Sequence, residues 1–251
     1  YNGDIIWKSN IPVVSLSLTK TNTMSNDCSN YIRISGSVKN MKPIYDFFNE
    51  GQKKIDLYYT QKKEYVKNNP DKTIWDKIDG IELEEQLVMN TLVPHDKEYE
   101  KIKKSGEFLL NPQTVFYGCK WDFDLSSANV LDCIDELVTL SPTTPWSPPR
   151  EFCNRLSKKY GVKVYIFYSE GGNDFSGTDE YDNGEHTNEE SYEYLEGLYY
   201  LDKEYFWSEI DCWLDDTEDM TEEEFLNKIP KFVSDEDMET IRKDFQTSKV
   251  N

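Results

Sequence analysis

Apolar positions along the chain change period several times, and each change predicts an element. Asn30–Val38 alternates Ile32 and Ile34 with Tyr31, Arg33 and Ser35, which predicts a half-buried strand ending near Gly36. Met41–Glu50 follows with Ile44, Phe47 and Phe48 at helical spacing, and Pro43 suits a first turn. Helical stretches are expected near Tyr58–Lys67 and Ile81–Met89. Val115–Asp124 (VFYGCKWDFD) is aromatic and strand-like, and Val130–Leu140 fits either strand or helix. In TPWSPPREFCNRLSKKYG, Phe152, Leu156 and Tyr160 share one helix face. There Ser147 is the expected cap, Pro148 suits the first position and Gly161 the stop. Val162–Tyr168 is an almost wholly apolar or aromatic strand.

Strand, helix, two strands, helix, strand is the order of a split βαβ, so the expected class is α+β, a ferredoxin-like antiparallel sheet with helices on one face. Gly171–Glu185 is turn-rich and is expected to extend the sheet as a hairpin. Beyond Thr187 the pattern turns helical. Thr187-x-x-Glu190 and Thr221-x-x-Glu224 match capping boxes, and Ser234-x-x-Asp237 is a weaker one. Tyr194, Leu198, Leu201, Tyr205 and Ile210 form one apolar stripe, and Phe225, Ile229 and Phe232 another. Three regions are expected: an N-terminal arm at 1–23, with Met24 a possible translation start; a ferredoxin-like domain at 24–185 with a helical insertion at about 52–110; and an acidic helical region at 186–251.

Three stretches, Asn26–Gly36, Tyr117–Asp124 and Thr144–Gly161, resemble the YubB-type ferredoxin-like domain of phage and plasmid proteins, through Cys28–Asn30, Lys120–Asp122 and Trp146–Pro149. The resemblance covers roughly residues 24–185. It implies a fold and a mobile-element origin but no known chemistry. Asp27 stands where the family usually has Trp.

Charge changes the picture more than composition does. Hydrophobic residues make up 37% of the chain, below the roughly 45–50% of an average domain. Aromatic residues at 14% still argue for a packed core. A single Ala and 24 Lys against four Arg suggest an AT-rich gene. The net charge is −20. Residues 1–169 hold 22 acidic and 22 basic side chains, whereas residues 170–251 hold 26 acidic and six basic. Such a field repels nucleic acid and anionic membranes and attracts basic surfaces. The densest stretch is Asp211–Phe225, DCWLDDTEDMTEEEF.

The five cysteines form no CxxC pair and are expected to be free thiols of a reducing compartment, the host cytoplasm. No 18-residue apolar run predicts a membrane helix. GxSxG, P-loop and HExxH motifs are missing, Asp215–Glu224 lacks the glycine of an EF-hand loop, and no metal or cofactor set is predicted. His95 and His186 read as surface residues.

A binding protein is therefore expected rather than an enzyme. Its partner would be a basic surface of a host or phage protein, with the acidic region acting as a DNA mimic or as an inhibitor of a host defence or nucleic-acid enzyme. The expected contact residues are Trp207, Glu209, Asp211, Trp213, Asp215, Asp216, Glu218, Asp219, Glu222 and Glu223, with Phe206 as a further apolar anchor. The alternatives are an enzyme or small-ligand binder on the sheet, with Trp121, Asp122, Trp146 and Glu170 lining a pocket, and a virion or replication component. For the two tryptophans the architectural reading is that they fill the core.

Overall fold

The computed structural model describes residues 27–105, 111–215 and 220–248. The arm expected at 1–23 lies outside them. Among the described residues, β1 (Asp27–Ser35) leads to α1 (Val38–Asn68), α2 (Val88–Leu92), α3 (Lys97–Ser105) and α4 (Pro112–Tyr117). Then come β2 (Val130–Ile134), β3 (Leu137–Leu140), β4 (Thr143–Pro145), α5 (Arg150–Tyr160), β5 (Lys163–Glu170), β6 (Phe175–Asp182) and β7 (Glu185–Tyr192). The chain closes with α6 (Tyr194–Leu201), α7 (Lys203–Asp215), α8 (Glu222–Leu226) and α9 (Asp235–Ser248).

The sheet runs β2-β3-β1-β5-β6-β7, with β4 paired to β1. Its first four strands are the ferredoxin-like order, and β1 is antiparallel to both β3 and β5. Alternation in β1 buries Cys28, Asn30, Ile32 and Ile34 on the face covered by helices. Helix α1 packs on β2 and β3, and α5 packs on β5. Met41, Ile44, Phe48, Val138, Leu140, Phe152, Leu156, Val164 and Ile166 are the fully buried centre. The Gly171–Glu185 stretch extends the sheet as expected. Asn183 and Gly184, both at positive φ, form its turn, the pairing that a two-residue hairpin demands.

Several local expectations are corrected. Helix α1 starts at Ser37, whose side chain accepts from the Asn40 amide, so Pro43 falls beyond the first turn. One helix then runs on through residues 52–68, the start of the expected insertion. Ile81–Leu87 is not helical. Val115–Tyr117 belongs to a helix, not a strand: Asn111 caps it, Pro112 opens it and Gly118 closes it in the left-handed region. Val130–Leu140 resolves as a hairpin. Ser147 does not cap α5; its hydroxyl donates to the Gly118 carbonyl. Thr187 and Glu190 lie in β7, where the Thr187 hydroxyl donates to the Glu180 carbonyl, so no capping box forms there. The box at Thr221 forms; at Ser234 only half does, since its hydroxyl accepts from the Asp237 amide while its own amide donates to the Tyr199 hydroxyl.

The chain divides into two compact units. One comprises residues 25–173 and 177–190, and holds most of the sheet with α1–α5. The other takes 174–176 and the residues from 191 onward, and contains α6–α9. Its core is Leu198, Phe206, Ile210, Phe225, Ile229, Val233, Ile241 and Phe245. The Phe225 and Phe245 rings stack at 4.9 Å, and Tyr199 meets Phe206 edge-on at 5.1 Å. No helix among the described residues is long and apolar enough to cross a membrane.

Candidate functional site

The residues expected to line a pocket separate into two kinds. Trp121 and Trp146 are not core residues: they are 50% and 52% exposed. Hydrogen bonds stitch together the two loops that carry them. The Ser147 hydroxyl donates to the Gly118 carbonyl at 2.7 Å, and the Thr144 hydroxyl donates to the Ser147 carbonyl at 2.8 Å. Asn30, buried on β1, donates from Nδ2 to the Thr144 hydroxyl at 2.9 Å. Between the rings lies Lys120, its Nζ 4.3 Å from the Trp121 centroid and 5.9 Å from that of Trp146.

The backbone at Trp146 is unusual. Its φ is 72°, and the Ser147 amide donates to the Pro145 carbonyl two residues back. This is a γ-turn of the rare hand, which costs on the order of 1–3 kcal/mol for a residue other than glycine. The strain holds a tryptophan in solvent, where burial returns little.

Asp122 and Glu170 serve the backbone instead. Asp122 accepts from the amides of Met89, Asn90 and Phe123, which caps α2, while burial raises its carboxyl above the usual range against those three bonds. Glu170 accepts from the amides of Gly172 and Asn173 and holds the turn after β5. Nearby Cys28 and Cys119 are buried thiols pushed up by desolvation, Cys119 to about 12, which leaves them unreactive at neutral pH. None of the five cysteines is in a disulfide, and Cys212 is exposed.

A second cluster went unread in the sequence. Arg150, first residue of α5, reaches Asp179 on β6 and Glu189 on β7, with Nη2 2.6 Å from each carboxylate. His186 is a surface residue, as expected, but its Nε2 lies 2.7 Å from Asp179 Oδ1 and its ring stacks on Tyr181. Asp179 is fully buried. The only sequence signal for the cluster was a charged residue at the centre of a strand.

Of the expected contact residues, Trp207, Glu209, Asp211, Trp213 and Asp215 stand on α7, and Glu222 and Glu223 on α8. Phe206 is buried, so it packs the unit's own core and is unavailable as an anchor. Trp207 and Trp213 are half-buried, and Asp211 and Glu223 are exposed. Asp216, Glu218 and Asp219, and the side chain of Asp215, lie outside the described residues. Glu222 pairs with Arg242 and accepts from Gln246.

Glu209 accepts from the Tyr194 hydroxyl at 3.2 Å, and burial raises its carboxyl, so its charge is a cost. Glu209→Gln is therefore expected to raise the thermal midpoint at neutral pH. The sign follows from the raised value: the penalty is full above it, shrinks as pH falls through it, and vanishes below the ordinary carboxylate range. Thermal melts of both proteins from pH 7 to pH 4 should converge at the acid end.

Residues 120–211 match the family model described as the ferredoxin-like domain in Api92-like protein. The match begins at Lys120 and so leaves out the Asn26–Gly36 stretch, and it extends through β7 into α7. A crystal structure of a protein api92 from Yersinia pseudotuberculosis aligns over 68% of this chain and 98% of its own, with 13% identity and a TM-score of 0.40. No curated protein matches the chain. The segment that carries Trp121, Trp146, the Arg150 cluster and most of α7 is thus similar to a ferredoxin-like domain of Api92-like proteins.

Proposed function

We propose that this is a phage-encoded binding protein of the YubB type, whose acidic helical unit docks on a basic surface of a host protein in the host cytoplasm. There its carboxylates stand in for the phosphates of DNA and block a defence or nucleic-acid enzyme. The supporting observation is where the charge sits on the helices. Carboxylates in the first turns of α8 and α9 have a local explanation, because they face the positive ends of the helix dipoles. The end of α7 is the opposite case. Its last turn holds no basic residue, and the sequence there runs through Asp215, Asp216, Glu218 and Asp219. Negative charge at a helix C-terminus costs roughly 0.3–1 kcal/mol per residue. Charge kept against that cost calls for a use, and a basic partner supplies one.

Complementary charge mainly speeds association and is screened by salt. Lys at position 215 suits a helix C-terminus, so replacing Asp215, Asp216, Glu218 and Asp219 with Lys should leave α7 intact. The expected result is at least tenfold weaker capture, about 1.4 kcal/mol. The measurement is affinity purification from host extract with the native chain and the variant, at low and at high salt. It is followed by titration of the captured protein for one-to-one stoichiometry and for displacement by duplex DNA. Capture unchanged by the variant and by salt would remove the proposal.

A second reading, a small-ligand site on the sheet, is favoured by the strained and exposed Trp146 beside Trp121. Quenching of tryptophan fluorescence by an organic cation such as tetramethylammonium, lost in Trp121→Ala, would support it. Such a ligand would take the place Lys120 now holds.

A further inference from the structure

We propose that Asp179, His186 and Glu189 form a binding site for one divalent transition-metal ion of the zinc class, and that the Arg150 guanidinium holds the cation's place between the carboxylates in the metal-free chain. One ligand atom from each of the three residues lies within 4.8 Å of the others, a spacing that a single ion can bridge. Arg150 Nη2 stands 2.6 Å from both Asp179 Oδ1 and Glu189 Oε1, so the structure already seats a positive group where the oxygens converge.

The independent observation is Asp179 itself. It is 0% exposed, yet its Oδ2 has no hydrogen-bond partner. Buried carboxylate oxygens are ordinarily satisfied, and an orphan is expensive. A metal ion that drew on both oxygens of Asp179 would remove that cost. The guanidinium can give way, since the Arg150 side chain is 35% exposed and has solvent to enter.

Donor chemistry selects the ion. One imidazole nitrogen with two carboxylates suits zinc, cobalt, nickel or iron(II), whereas magnesium and calcium prefer oxygen alone. The ligands come from paired strands β6 and β7, joined by the tight turn at Asn183–Gly184, which fixes their spacing. This inference is independent of the acidic docking surface, because it concerns the sheet unit alone.

The test is a calorimetric titration of the full chain, freed of metal by chelation, with zinc chloride, and a parallel cobalt titration read by visible absorption. The native chain should take up one equivalent. His186→Gln and Glu189→Gln change exposed side chains on an edge strand, and each should weaken that uptake at least tenfold. Arg150→Gln removes the competing cation, and where circular dichroism shows it folded it should bind at least as tightly as the native chain. Magnesium at the same concentration should not compete. Two results would overturn the proposal: no stoichiometric uptake by the native chain, or uptake that both edge-strand variants leave unchanged, which would mark only diffuse binding to surface carboxylates. An Arg-centred ion-pair network without metal affinity would give the first.

Discussion

Phe225→Ala is expected to destabilise the helical unit by about 3–5 kcal/mol and to abolish partner capture with it. Phe225 is 1% exposed and its ring stacks on Phe245 at 4.9 Å, so truncation removes the contact that joins α8 to α9. With four helices among its described residues, the unit has little core to spare. Its other fully buried side chains are few, chiefly Leu198, Phe206, Ile210 and Ile241. Hydrogen exchange should accelerate across residues 191–248 while the amides of β1 and β5 keep their protection, because local units open separately. Capture that survives alongside an unfolded helical unit would mean that charge alone, without a fixed arrangement, is what the partner reads.

Gly118→Ala carries the second large effect, roughly 2–5 kcal/mol, combining a left-handed backbone penalty with overpacking. Gly118 has φ +91°, and an added Cβ would lie 2.9 Å from both the Arg150 amide nitrogen and the Pro148 carbonyl oxygen. Both neighbours are backbone at the start of α5, so neither can yield by rotating a side chain. The carbonyl of Gly118 also receives the Ser147 hydroxyl. A shift there therefore moves Lys120 and Trp121 away from Trp146 and displaces Arg150 from Asp179. Chemical denaturation measures the first consequence, and tryptophan fluorescence the second. A variant as stable as the parent would show that this junction is loose.

The sheet was legible in the sequence because its signals are local. Ile32 and Ile34 alternate with polar residues, and Phe152, Leu156 and Tyr160 repeat every four, so period alone finds β1 and α5. The turn at Asn183–Gly184 announces itself in the same way. Val115–Tyr117 misled because aromatic content was read as strand propensity, while the deciding features were the cap at Asn111 and the stop at Gly118. Thr187 and Glu190 have capping-box spacing, but pairing beside β6 overrides a local helical preference.

The sites were harder, since they depend on contacts between distant residues. Nothing near Trp146 in the chain says that it will stay in solvent beside Trp121. Its exposure follows from a γ-turn and from hydrogen bonds reaching Gly118 and Asn30. Arg150, Asp179, His186 and Glu189 come from a helix and two strands, and no spacing in the sequence joins them. Charge was legible as a sum and not as a role. Glu209 looked like a surface carboxylate, but it faces Tyr194 in a buried setting, and Glu222 is paired with Arg242.

The most direct measurement is amide hydrogen exchange of the full chain, resolved at Phe206, Ile210, Phe225, Ile241 and Phe245. If helices with their own core hold the carboxylates in place, these amides exchange orders of magnitude more slowly than an unstructured chain. Exchange at the unstructured rate throughout residues 191–248 would contradict the account, because no fixed anionic surface would then exist.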